Sequence, residues 1–348
     1  MPEILYNSFR GHGLPGAEMF PSQNAEAVAK LLAQCPVHAK TPLVSSPKLA
    51  EIAGIEQLWL KDERARMGLG SFKALGAAYS IAYDAAASRP EDWSKALNGA
   101  TYATASAGNH GLSVAAGARV FGAKAVIYLA HTVPEAFAER LRALGADVVR
   151  AGEDYEASMD AARVDANCND WNLLSDSTWP GATGPGSRIM EGYLQMAAEA
   201  ATQIPNEPSH ILLQAGVGGL AASVAAHARA VWGDAPVILV VEPAAAPALI
   251  ESIRLGKLVD TSGPVSSMGR LDCKTPSLVA LNGLARDADV FVTISEEEAE
   301  NGLCEARRTG FDSTTSGVAG IAALLAGVEG VGADAKVLCF LSEGPENG

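Results

Sequence analysis

From Thr101 onward the chain alternates short β-branched or apolar runs with stretches that place Ala, Val, Leu or Met at spacings of three and four. Residues 101–105, 125–129, 147–150 and 172–174 predict strands, and 108–121, 134–144 and 155–167 predict the helices between them. Thr132-Val-Pro-Glu135 reads as a capping box that opens the second of these helices, and Gly145 as its stop. Strands joined by helices of this length suit parallel crossovers. A second series begins at His210 with a strand over 211–213, a glycine turn, a helix over 219–231, a strand over 236–241 and a helix over 247–255. A polar stretch, 259–277, interrupts it. The pattern resumes with a strand at 290–294, helices from Glu296 and Thr315, and a strand at 337–340. The expected fold class is therefore α/β, with two doubly wound domains and mainly parallel sheets. Trp179-Pro-Gly-Ala-Thr-Gly-Pro-Gly186 reads as the connection between the halves.

Composition narrows the function. With 348 residues, 48% hydrophobic and 19% charged, the chain is neither disordered nor a small stapled domain, and it has length for two domains around a cleft. The 26 Lys+Arg against 40 Asp+Glu leave a net charge of −14, which argues against a nucleic-acid partner, since phosphate backbones are bound through Lys and Arg. Cys35, Cys168, Cys273, Cys304 and Cys339 are odd in number and lack any Cys-x-x-Cys or Cys/His spacing, so buried thiols in a reducing compartment are expected and a metal site is not. The start of the chain has no basic segment followed by an apolar core. No apolar stretch reaches the ~18 residues of a membrane span. A soluble cytoplasmic protein with no membrane partner is the expectation.

Four segments carry candidate chemistry. In Gly68-Leu-Gly-Ser-Phe-Lys73, a lysine on a glycine-flexed turn beside the Phe72 ring can be desolvated, which lowers its pKa and frees the amine for a Schiff base. An exposed lysine at a helix start is the ordinary alternative. Ser106-Ala-Gly-Asn-His-Gly111 lies where a strand passes into a helix, whose free N–H groups can hold a carboxylate or phosphate, while Asn109 adds an amide. His110 could act as a base or simply shape the turn. Gln214-Ala-Gly-Val-Gly-Gly-Leu220 again joins strand to helix, and Gly216, Val217, Gly218, Gly219 and Leu220 could cradle an anion. Gly216-x-Gly218-x-x-Ala221 also satisfies a dinucleotide fingerprint, with Glu242 where a ribose-binding acid would stand, so an NAD-dependent dehydrogenase is a rival. Last, Ser342 follows the final strand and Asp176 follows the strand at 172–174, both where open α/β sheets bind ligands.

In this order the four segments resemble the fold-type II enzymes that use pyridoxal 5′-phosphate, the tryptophan synthase β-like group. The resemblance implies that Lys73 carries the cofactor with Phe72 beside it, that Asn109 reaches the cofactor's phenolic oxygen, and that Gly216–Leu220 bind its phosphate. It implies that Ser342 bonds the pyridine nitrogen, and that Ser106, Ala107, Gly108 and His110 form the loop that grips the substrate carboxylate. Within the group the likeness is greatest to the diaminopropionate ammonia-lyases, through Leu60-Lys-Asp-Glu63, Asp176-x-x-Trp179, Met190-Glu-Gly-Tyr193 and Met268-Gly-x-Leu-Asp-Cys273. That likeness implies a second catalytic acid at Asp176, acting on the L-substrate. Ala107 stands where such lyases carry an acid for the D-substrate, and here the loop reads like that of a serine/threonine dehydratase.

The implied activity is β-elimination from a small β-substituted amino acid, 2,3-diaminopropionate first, giving a 2-keto acid and ammonia. A serine/threonine or 3-hydroxyaspartate dehydratase, or a racemase, is the alternative on the same fold. The implied domains are 1–80 with 186–348, binding the cofactor, and a smaller inserted 81–185. The implied assembly is a homodimer.

Overall fold

The computed structural model describes residues 2–345. Two sheets organise it. The smaller contains β4 (Thr101–Ala105), β5 (Lys124–Leu129), β6 (Asp147–Arg150) and β7 (Asn172–Leu173), all parallel, in the order β6-β5-β4-β7. The larger contains β1 (Glu3–Tyr6), β2 (Leu43–Ser45), β3 (Gln57–Asp62), β8 (His210–Gln214), β9 (Val237–Pro243), β10 (Val290–Ile294) and β11 (Lys336–Leu341). Its order is β1-β10-β9-β8-β11-β3-β2, with β1 and β2 antiparallel at the two edges and a parallel interior. The α/β class with mainly parallel sheets is thus as expected.

Apolar runs predict these strands because both faces are covered. Along β8, Ile211 and Leu213 face one apolar core and Leu212 the other, so a period of two is hidden inside a continuous run. In each sheet the strand order reverses once. Successive strands leave β4 toward β5 and β6, then return to β7 on its other side; they leave β8 toward β9 and β10, then return to β11. Loops after neighbouring strands part at such points and leave a crevice at the carboxyl ends. The crevice at β4/β7 receives Ser106–His110 and Asp176, and that at β8/β11 receives Gly216–Leu220 and Ser342.

Four expectations are corrected. The thiols are not all buried: Cys35 and Cys339 are, but Cys168 and Cys304 are exposed. Thr132 and Glu135 make no capping box: helix Glu135–Ala143 starts after Pro134, Thr132 Oγ1 bonds Glu153 O at 3.0 Å, and Glu135 pairs with Arg142 and Arg150. Pro134 takes the N-cap position and has no side-chain acceptor, so the helix opens without a side-chain cap. A capping box does form at Ser295 and Glu298, opening helix Glu296–Arg308. The helix expected from Thr315 begins at Ala319, because Thr314 and Ser316 are engaged in loop hydrogen bonds. The connection 179–186 is partly helical, since Gly184–Gly192 is a helix with Pro185 in its first turn.

Candidate active site

Lys73 is the first residue of helix Lys73–Ala87, delivered by the loop after β3. Its Nζ lies 2.5 Å from Asp176 Oδ2, 5.4 Å from the Phe72 ring centre and 5.9 Å from that of Tyr193. The two rings pack edge to face at 4.8 Å and wall the amine. The expected drop in the lysine's pKa is overturned. Burial does work against the ammonium, but the adjacent Asp176 carboxylate raises it above the ordinary lysine value. Burial equally opposes the charge on Asp176, and Lys73 holds that carboxyl below the usual carboxylate range. The Tyr193 phenol is pushed up to about 12 by burial, so it stays protonated.

The second segment forms the N-terminus of helix Asn109–Val120. Ser106 Oγ accepts from Gly108 N at 3.3 Å, Ala107 packs on the apolar core, and the Arg270 guanidinium lies against Gly108. His110 is buried and its Nε2 is 2.8 Å from Leu174 O, so its ring braces the segment that carries Asp176 rather than facing the cleft. Burial lowers its pKa and keeps the imidazole neutral. The Asn109 amide bonds Glu343.

Helix Gly219–Trp232 starts at the glycine turn, where Gly218 has φ +97°, a left-handed conformation that a side chain resists. At Gly216 a Cβ would come within 3.0 Å of Cys273 Sγ and 3.1 Å of Arg270 O, so the turn is closed to side chains, and its place at a helix N-terminus suits it to an anion. Gly219 borders the Tyr193 ring that also walls Lys73. Ser342 is buried, its Oγ accepts from Gln214 Nε2 at 3.1 Å, and its carbonyl accepts from Phe72 N at 3.1 Å. Donation by Gln214 leaves the Ser342 hydroxyl hydrogen for another acceptor.

All four segments therefore meet, with Tyr193, Cys273, Arg270 and Glu343 added. Sequence reasoning gave these four no role. Glu343 could have been found beside Ser342, and Tyr193 and Cys273 through the Met190–Tyr193 and Met268–Cys273 segments that carry the family likeness; Arg270 stands only at the unspecified position of the latter. The set fits pyridoxal phosphate: a closed glycine turn at a helix N-terminus for the phosphate, a walled lysine for the aldehyde, a hydroxyl donor for the ring nitrogen. Dinucleotide binding is not what Glu242 serves, since its two oxygens accept from Leu249 N at 2.7 Å and Ile250 N at 2.8 Å, starting the helix Ala248–Leu255. A cleft of about 480 Å³ opens beside Gly108 and Asn109, with Arg64, Arg140, Arg270 and Glu343 on its walls.

Residues 35–343 match the model of the pyridoxal-phosphate dependent enzyme family, and the chain belongs to that family, with pyridoxal phosphate as its cofactor. Among individual proteins, the chain is 31% identical over 317 residues to the diaminopropionate ammonia-lyase of Salmonella typhimurium, covering 83% of this chain and 78% of that one. It is 31% identical over 267 residues to human L-serine dehydratase/L-threonine deaminase, covering 76% and 75%. The crystal structure of Escherichia coli diaminopropionate ammonia lyase in complex with D-serine superposes with a TM-score of 0.88 at 27% identity, covering 99% of this chain and 94% of that one.

Proposed function

We propose that this enzyme is a β-eliminating ammonia-lyase for small β-substituted amino acids, with 2,3-diaminopropionate as its first substrate. The observation that carries it is the pairing of Lys73 with Asp176 at 2.5 Å, two proton-transfer groups brought together where the four segments meet. Relatives named for this reaction support the choice of substrate. When bound at Lys73, the cofactor supplies the conjugated ring that spreads the charge left on the substrate's Cα.

The chain's own residues do the rest. Ser106, Ala107, Gly108 and the N-terminus of helix Asn109–Val120 hold the substrate carboxylate, with His110 tying that helix start to the segment that carries Asp176. Lys73 and Asp176 share one proton position, so either takes the Cα proton, and the other protonates the leaving amine. Gly216–Leu220 would hold the phosphate and Asn109 the phenolic oxygen. Ser342, oriented as a donor by Gln214, would meet the ring nitrogen without the charge a carboxylate brings, which would favour elimination over transamination.

The second reading, a serine/threonine or 3-hydroxyaspartate dehydratase or a racemase, is favoured by Ala107, which puts no acid on the face served by the Ser106 loop. Residues 1–80 with 186–348 as the cofactor-binding domain and 81–185 as the inserted one belong to the same proposal, supported by the separate sheets. So do a homodimer and a cytoplasmic location, the latter supported by five unpaired cysteines, which suit a reducing compartment.

The test is ammonia and keto-acid release from L- and D-2,3-diaminopropionate, L-serine, L-threonine and 3-hydroxyaspartate. L-Diaminopropionate is expected to lead in kcat/KM, with the D-isomer at least tenfold slower. A lead by L-serine or L-threonine replaces this reading with the dehydratase.

A further inference from the structure

Glu343 holds a position that the four-segment site does not explain. It follows β11 at the crevice, is only 5% exposed, and each of its carboxylate oxygens has a donor. Oε1 accepts from Thr314 Oγ1 at 2.5 Å, and Oε2 accepts from Asn109 Nδ2. Arg270 Nε stands 3.8 Å from Oε2. Thr314 itself is fixed, accepting from Gly317 N at 2.9 Å. The backbone is fixed too: Ser313 Oγ donates to Glu343 O at 2.5 Å, Gly344 N donates to Gly70 O at 2.9 Å, and Glu343 bridges Ser71, two residues before Lys73.

One residue thus ties the lysine segment, through its backbone, to the Asn109 loop, through its side chain. The chemical consequence lies in the amide. The oxygen and nitrogen ends of an asparagine are nearly the same size, so only a hydrogen-bond partner decides which way the group is turned. An ionised carboxylate accepts and never donates. It therefore admits the NH₂ end of Asn109 and repels the carbonyl end. With one N–H given to Glu343, the other is left for a ligand oxygen.

The geometry points to Glu343 as a positioning residue that turns the Asn109 amide so that an N–H, not the carbonyl, faces the cofactor's phenolic oxygen. This rests on the reading of Asn109 as a cofactor contact. Glu343 needs no contact with the cofactor or substrate itself.

A double-mutant cycle tests it with Glu343→Met, Asn109→Ala and the pair, read by the dissociation constant of pyridoxal phosphate from the apoenzyme and by the visible band of the loaded protein. Glu343→Met is expected to weaken cofactor binding about fivefold, the factor one net hydrogen bond carries, and to shift the band. In the Asn109→Ala background the same substitution should change binding less than twofold. Glu343→Gln keeps the shape but can meet either end of the amide, so it should fall between wild type and Glu343→Met, and it carries the cycle should Glu343→Met not fold. A Glu343 variant with wild-type binding and band, or one whose full effect persists without the Asn109 side chain, overturns the inference. If Asn109→Ala alone binds the cofactor as wild type does, the reading of Asn109 fails first, and the positioning role with it.

Discussion

Lys73 and Asp176 each control the other's charge, and the consequences of removing one partner follow from that coupling. Without the carboxylate, burial is the largest influence left on the Lys73 amine, opposed only by Tyr193 and Cys273, and makes it less basic, so more of it is neutral and nucleophilic near pH 7. Asp176→Asn is therefore expected to capture pyridoxal phosphate faster than wild type, followed by the rise of the visible band. Turnover of L-diaminopropionate should nevertheless fall about 10²–10⁴-fold, the usual worth of a placed acid or base. Slower capture together with unchanged turnover would remove Asp176 from both roles. The pair also sets a pH window. Asp176, depressed when folded, contributes stability above about pH 4 that is lost as pH falls through its lower folded value. Lys73, raised when folded, contributes stability below about pH 10 that is lost as pH rises through its higher one. The difference in apoprotein melting temperature between wild type and Asp176→Asn should thus be widest near neutral pH, narrowing as pH falls below about 4 and as it rises toward about 10, where the variant no longer carries a buried ammonium without its carboxylate.

Strand β3 shows why some elements were not legible. Leu58 and Leu60 face an apolar core, but Lys61, Asp62 and Glu63 follow at once, and such a run reads as surface. Lys61, Glu63 and Arg66 are fully buried instead, gathered round Glu199 of the helix Leu194–Gln203. Lys61 Nζ is 2.7 Å from Glu199 Oε2, Arg66 Nη2 is 2.7 Å from the same oxygen, and Arg66 Nε is 2.7 Å from Glu63 Oε2. A partner 138 positions away makes this possible, and no local pattern announces it. Burial opposes the Glu199 charge, but Arg66 and Lys61 pull its pKa down to about 2. Being depressed, it contributes stability above about pH 4 that is lost as pH falls toward 2. Glu199→Gln should cost about 3–5 kcal/mol in urea unfolding at pH 7, because two buried cations lose part of their compensation. That gap should close on acidification, whereas a gap unchanged at pH 3 would place the cost in packing. By contrast, β4–β11 were readable since their apolar runs alternate with helical periodicity, and their crevices followed from the strand order. The site followed from motifs whose backbone geometry is local, as at Gly218, but not from side chains such as Arg270 that arrive from elsewhere.

At the scale of the molecule, helix Lys73–Ala87 is the joint between the sheets. It packs on helix Asn109–Val120, which belongs to the smaller sheet, and on helix Gly184–Gly192, which leads into Tyr193 and the larger one. Its first residue is the lysine, and Glu343 adds a second tie from β11 to Asn109. A ligand held at Lys73 therefore draws on contacts from both layers, and its binding energy should stabilise both. At a hundredfold excess over its Kd, pyridoxal phosphate should add about 2.7 kcal/mol of linkage free energy. For a chain of this size that raises the melting temperature by about 4 °C. Hydrogen exchange should slow by the same factor in β4–β5 and in β8–β11, and Lys73→Ala should lose most of the shift. If the two sheets instead unfolded in separate transitions, with only the β8–β11 sheet responding to cofactor, the joint would be mechanical contact alone, and the Asn109 loop would have no share in holding the cofactor.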